Sequence, residues 1–409
     1  MPIKPIVNYS MYGKTVRVFP FAPNWASPVN ETLEWKTDVL RSYNGDEQRR
    51  QLRQLPRREF EYDIMVHGEQ AAMLESYLWS WQHKDFALPV WTDTVELTSD
   101  IASGAVSCSV SNTSLLGFAQ DHYAVIFGGP KDCEVVKLSS VSQNGFVFVT
   151  PTAYGWPAGT KVYPLMLGHL GTSVKTVRHT SSVATLGGIR FQGNAGESFL
   201  NVPGIAAPLV YDGYEIFTTS PNWESTISND LERDFEIVDS GVGVVGYLLR
   251  NTKPRTVKPF SWLLKSREQI HAFRGFAGRR MGQLKTCWMP SWNDDFILAA
   301  DNSTDQTKLT VKGIWFADLV GVDLSRDRLM VTMPDGSLLF RRITATTPNN
   351  GSDVTVLQLD STIGSTIGVG DNVRLRILSR CRLATDKIVI PWRSTSVATP
   401  QTSFTTVKT

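Results

Sequence analysis

The sequence predicts a mainly β protein, a β-rich α+β chain made of two tandem copies of one unit. Three observations lead there. The stretch from Glu34 to Asp93 returns in worn form from Leu231 to Asp294. Most patterned segments alternate apolar and polar residues at period two, and each copy has one segment at helical period. Each copy is also interrupted, after its Trp91 or Trp292 strand, by short Val, Ile, Phe and Thr runs punctuated by Gly, Ser and Asn, the texture of a small inserted β module such as an SH3-like or OB-like barrel.

Taken in order, residues 1–30 are rich in proline and aromatics, which predicts an extended arm with a short strand from Thr15 to Phe19. Glu34 to Ser42 reads as a strand, and Asn44-Gly45 as a tight turn. From Arg57 to Val66 the residues Phe60, Tyr62, Ile64 and Val66 share one face of a strand. Ala71, Leu74, Leu78 and Trp81 then recur at three and four, which predicts an amphipathic helix over 69–82 with Gly68 before it. Phe86 to Trp91 is a short apolar strand. Residues 95–166 form the inserted module, and Val174 to Thr180 alternates again, as strands rejoining the first sheet would.

The second copy follows the same plan. Asn24-Trp25 is echoed by Asn222-Trp223 and Glu34 by Glu232, both 198 residues on. The helical stretch Glu268 to Arg280 stands where 69–82 stood. Trp292 answers Trp91 at 201, Val369 to Val373 answers Ala158 to Val162 at 211, and Ser396-Val397-Ala398-Thr399 repeats Ser182-Val183-Ala184-Thr185 at 214. The offsets only grow along the chain, as duplication followed by small insertions requires. The expected organisation is a first domain of 1–94 plus 167–195, an inserted β module at 95–166, a linker at 196–215, a second domain of 216–295 plus 379–409, and its own inserted module at 296–378.

Composition narrows the function. Lys plus Arg is 41 against 39 for Asp plus Glu, so no global basic field for nucleic acid exists. The opening residues lack the apolar core of a signal peptide, and no apolar run is long enough to span a membrane, so a chain that stays off the secretory route and out of the membrane is expected. The four cysteines, Cys108, Cys133, Cys287 and Cys381, form no C-x-x-C pair, and a disulfide framework is not expected in a chain with this much core.

No catalytic residue, cofactor site or metal site is assigned. The six histidines never pair at metal-ligand spacing. Gly241-Val242-Gly243-Val244-Val245-Gly246 matches a dinucleotide fingerprint as a string, but it falls at the counterpart of the Asn44-Gly45 turn and reads as a hairpin tip. Asp93 and Asp294 occupy equivalent places, as do Glu34 and Glu232. Paired carboxylates suit glycoside hydrolysis, yet recurrence in both copies fits a shared structural role such as capping a turn, which leaves a polysaccharide hydrolase as a remote alternative. One charge cluster stands out: Arg49, Arg50, Arg53, Arg57 and Arg58, with Asp46 and Glu47 beside it. Mixed signs suit a protein partner better than phosphate, so this is the predicted subunit interface.

In the same stretch, Thr37-Asp38-Val39, Ser42, Asn44-Gly45, Glu47, Arg49 and Pro56-Arg57-Arg58 together resemble the distal tail proteins of tailed bacteriophages and gene transfer agents. The resemblance covers about the first ninety residues. This chain departs from the family in carrying Asn-Gly where Ser-Gly is usual and in being doubled. The resemblance implies two tandem tail-tube-like β-barrel or sandwich domains, each with one flanking helix and an inserted β module. It implies a structural virion protein of a tail tip or baseplate, made in the host cytoplasm. The expected form is a homo-oligomeric ring, trimer or hexamer, around the channel through which DNA passes without specific binding, joining the tail tube to the tip hub. A doubled chain suggests a trimer with pseudo-sixfold symmetry. The inserted modules would then face outward, where fibres, neighbouring tip proteins or host glycans could bind. A receptor-binding or fibre-attachment module is the alternative.

Overall fold

The structure, a computed structural model, describes residues 8–194, 207–224, 226–250, 253–302 and 305–408. The chain is mainly β, with three helices among the described residues. Most strands belong to one connected set of ladders that runs through both repeats.

In the first repeat a hairpin of Tyr9–Met11 and Lys14–Val18 leads, through a parallel pairing of Val18 with Ala87, onto Phe86–Pro89. The sheet continues to Lys161–Leu170, Val183–Gly193, Arg57–His67 and Val29–Glu34. Helix α1, Glu69–Trp81, buries Ala71, Leu74 and Trp81 as their spacing predicts; Met73 and Tyr77 join them, and Leu78 is half-buried. The second repeat rebuilds the arrangement. A short hairpin, Val210–Tyr211 and Tyr214–Glu215, leads through a parallel bridge of Ile216 with Trp288 onto Cys287–Pro290, then Arg374–Leu383, Gln401–Thr406, Arg255–Ser261 and Asp230–Glu232. Helix α2, Arg267–Arg280, takes the place of α1; its Ser266 side chain caps Gln269 N–H.

Register shows the duplication at the level of single residues. Ala184 pairs with Val66, and Ala398 bridges Leu264. These are the same two positions at offsets of 214 and 198, as the sequence echoes require. Asn24 N–H bonds the Asp63 carbonyl and Asn222 N–H bonds the Ser261 carbonyl, while both asparagine side chains accept from the residue two places on. The hairpin turns at Tyr12-Gly13 and Asp212-Gly213 share left-handed φ values of 49° and 76° against 48° and 77°.

The inserted modules have cores of their own. The first buries Val95, Leu97, Ile126, Leu138, Phe146 and Trp156, the second Phe296, Leu309, Phe316, Leu329, Leu357 and Ile377. Among the described residues, no ladder closes a regular barrel. Isolated bridges, Ile101 with Trp156 and Phe296 with Leu375, bring the ends of each module together. The second module adds a short helix, α3 at Trp315–Leu319, which its sequence texture did not predict.

Three boundaries differ from expectation. Glu34 to Ser42 is not one strand: Val29–Glu34 ends, and Thr37–Arg41 leaves as half of a separate hairpin, because Trp35 turns inward (2% exposed) and gives its N–H to the Asp386 carbonyl. The modules are not cleanly excised, since Lys161–Leu170 pairs by its first half with module strands and by its second half with Phe86–Pro89. Of the expected linker 196–215, residues 196–206 lie outside the described residues, and the strands from Val210 to Glu215 are already the first hairpin of the second repeat.

Candidate functional site: the junction between repeats

The two repeats meet edge to edge. Strand Lys387–Trp392 of the second pairs antiparallel with Val29–Glu34 of the first, from Lys387 opposite Glu34 to Trp392 opposite Val29. The ladder buries Leu33, Ile388, Ile390 and Trp392. At its centre sits Glu31, fully buried. Arg58 Nε donates to one carboxylate oxygen at 2.8 Å. Arg274 Nε at 3.1 Å and Trp392 Nε1 at 2.9 Å donate to the other, with a second bond from the Arg274 guanidinium. Burial opposes the Glu31 charge, but Arg274 and Arg58 outweigh it and lower its pKa.

Beside this cluster, Arg267 at the start of α2 donates to Asp93 at 2.7 Å and to the Thr92 carbonyl. Arg267 and Arg274 lie over Trp392, 5.0 and 4.9 Å from the ring centroid. His271, one turn along, is buried, and neither ring nitrogen has a hydrogen-bond partner. Burial, reinforced by Arg274, brings its pKa down to about 4.

A second contact comes from the hairpin of Thr37–Arg41 and Glu47–Gln51, which reaches from the first repeat over the second. Glu47 accepts two bonds from Arg382, at 2.7 and 2.9 Å. Arg49 donates to the Leu284 carbonyl at 3.0 Å, and Lys408 meets Asp46 at 3.1 Å. At the base of this arm, Asp386 accepts from the backbone N–H groups of Thr37 and Gln283. Helix α2, covered on this side, buries nine of its fourteen residues, against five of thirteen for α1.

The predicted arginine face divides accordingly. Arg49 crosses to the second repeat. Arg58 joins the buried cluster. Arg53 bonds Glu34 within its own repeat at 2.8 Å, Arg50 is exposed, and Arg57 is exposed at the rim of a groove shared with Asp85 and His169. Arg49 and Arg58 are therefore engaged inside the chain, where the two repeats meet. Sequence reasoning missed Glu31, Arg274, Arg267 and Trp392. It looked for residues present in both copies, and Glu31 answers to Asn229. Asp93 and Asp294 do not share a role: Asp93 is buried on Arg267, whereas Asp294 is exposed and, among the described residues, pairs with Arg374 at 3.8 Å. The G-x-G-x-x-G string is a hairpin tip between Phe235–Val238 and Gly246–Leu249, with no helix after it.

A groove of about 500 Å³ is lined by Asn229, Leu231 and Arg233 at the edge strand Asp230–Glu232, by Arg41 and Glu47 of the first arm, and by Lys258 and Arg380 of the second sheet. Among the described residues, no group of three or more His, Cys, Asp and Glu side chains is placed to hold a metal ion, and no helix is long and apolar enough to cross a membrane. Among the described residues, no disulfide joins the cysteines. Compared with protein-family models and with curated proteins, the chain has no match.

Proposed function

We propose that this chain is a structural ring component of a bacteriophage tail tip, in which two like units per chain count as two segments of a ring around the DNA channel. The observation that carries the reading is the junction itself: one repeat continues the sheet of the other, Lys387–Trp392 on Val29–Glu34, and grips it with an arm. Units that add edge to edge with a fixed rotation generate rings when the rotation closes. The residues that resemble the distal tail family, Thr37 to Val39, Ser42, Asn44-Gly45, Glu47 and Arg49, lie on that arm, and Pro56-Arg57-Arg58 leads into the strand Arg57–His67 beside the junction. Three chains supply six units, which matches a sixfold tube above to a threefold hub below.

The test is location and copy number in an intact particle. Antibody labelling should mark the tail tip, and quantitative mass spectrometry should count three copies per tail. Absence from the particle, or six copies of this chain in one ring, would overturn the reading.

A further inference from the structure

The junction inside the chain exists once, but each of its halves exists twice. Val29–Glu34 has its counterpart at 227–232, and Lys387–Trp392 has its counterpart at 173–178, by the register offsets of 198 and 214. Both counterparts are open. Among the described residues, Asp230–Glu232 pairs only with Arg255–Ser261, and Thr176–Arg178 only with Val183–Gly193. Leu231, which answers to the buried Leu33, is 65% exposed.

The second arm is open as well. Strands Phe235–Val238 and Gly246–Leu249 match Thr37–Arg41 and Glu47–Gln51 in register, since Ile237 faces Tyr247 as Val39 faces Arg49. On the first arm the half-buried positions, turned toward the other repeat, are Thr37, Val39, Glu47, Arg49 and Gln51. The same five positions on the second arm are Phe235, Ile237, Val245, Tyr247 and Leu249. Every one is apolar, and every one is exposed, Tyr247 at 71%. A hairpin with an apolar face in water is a surface made to be covered. The first repeat is also less covered along its helix: Trp79 on α1 is 93% exposed, while Ala277 at the same place on α2 is fully buried.

We infer that the occupant is a second copy of this chain, docked head to tail. Residues 227–232 of one copy pair with 173–178 of the next, and the arm at 235–249 lies over the first repeat of that next copy. The register follows from the internal junction: Val174 opposite Leu231, Lys175 opposite Asp230, Thr176 opposite Asn229 and Arg178 opposite Ile227. Lys175 and Asp230 thus meet as opposite charges directly across an antiparallel ladder, a favourable cross-strand pair that the internal junction does not have at Val389 and Thr32. The contact is heterologous, so it repeats from copy to copy until the ring closes. Its arm is apolar where the internal one is polar, as suits an interface that must assemble from separate chains.

This inference deepens the ring reading by naming its subunit contact, and it can fail separately. Mass photometry and sedimentation of the full chain should show one discrete oligomer above monomer. Lys175→Glu should weaken association about tenfold or more, because like charges are then juxtaposed, and Asp230→Lys in the same chain should restore it. Tyr247→Ala should weaken it comparably while leaving thermal unfolding of the monomer unchanged. A chain that stays monomeric at tens of micromolar, or an oligomer indifferent to all three variants, overturns the contact. An oligomer that obeys the variants in a chain absent from the particle tip leaves the contact standing and overturns the tail reading alone.

Discussion

The arms at 37–51 and 235–249 share a backbone register and differ in nearly everything their surfaces present. The first places Glu47 and Arg49 on a neighbour covalently attached to it; the second places Val245 and Tyr247 in water. A partner in the same chain is always at high effective concentration, so the first arm can use directional polar bonds that contribute specificity more than affinity. A partner in another chain must be captured, and apolar area supplies most of that free energy. The same contrast appears on the helices. Arg267, His271 and Arg274 on α2 face the junction, where α1 carries Glu69, Met73 and Ser76.

The largest expected effect comes from breaking this asymmetry at its buried centre. Replacing Glu31 with Ala leaves Arg58 and Arg274 without their shared carboxylate in a site that excludes water. Losing one partner of a buried ion pair costs about 3–5 kcal/mol. The Asn229→Ala change at the equivalent open position should stay within about 0.5 kcal/mol in the monomer. Urea unfolding of the two variants reads the difference directly, and equal midpoints would mean that the cluster does not hold the junction.

Next in size is a pH effect confined to the covered helix. His271 faces Arg274, Asp93, Arg267 and Glu31, and its pKa is about 4 in the folded chain. An unfolded histidine titrates near 6.5. Between those values the unfolded chain holds a proton that the folded chain rejects. Stability is therefore full above about pH 6.5 and declines as pH falls to about 4, by roughly 3 kcal/mol in all. Glu31 and Asp93, whose pKa values are also lowered, add losses of the same sign at lower pH. His271→Met installs what α1 carries at Met73, and it sacrifices no hydrogen bond because the imidazole makes none. The variant should lose the decline between pH 6.5 and 4.5 in denaturant midpoints; an unchanged slope would place the acid sensitivity elsewhere.

What the sequence made legible was the part of the structure repeated in it. Offsets of 198, 201 and 214 reappear as strand register, helix α1 stands where Ala71, Leu74 and Trp81 put it, and the glycine-rich string is a hairpin tip. The junction was not legible, because its residues are those in which the repeats differ. Glu31 reaches Arg274 across 243 positions and Trp392 across 361, separations that leave no local periodicity to read. The arginine cluster was visible as charge, but charge alone does not distinguish a neighbour in the same chain from one in another.

The smallest effect tests the equivalence on which the comparison rests. Gly13 and Gly213 each follow a left-handed residue, Tyr12 or Asp212, in a two-residue turn of the kind that twists with its strands. A Cβ added at either glycine meets nothing within 4 Å, so replacement by alanine carries no steric clash with the surroundings. What remains is the penalty for holding an L-residue at φ near +76°, about 1 kcal/mol at each site. Because burial and partners drop out, Gly13→Ala and Gly213→Ala should lower stability by the same amount although the sequences around them share little. Unequal losses in matched denaturant titrations would mean that Val210–Glu215 is not the first hairpin of a second repeat, and the inferred contact would lose the template from which its register was drawn.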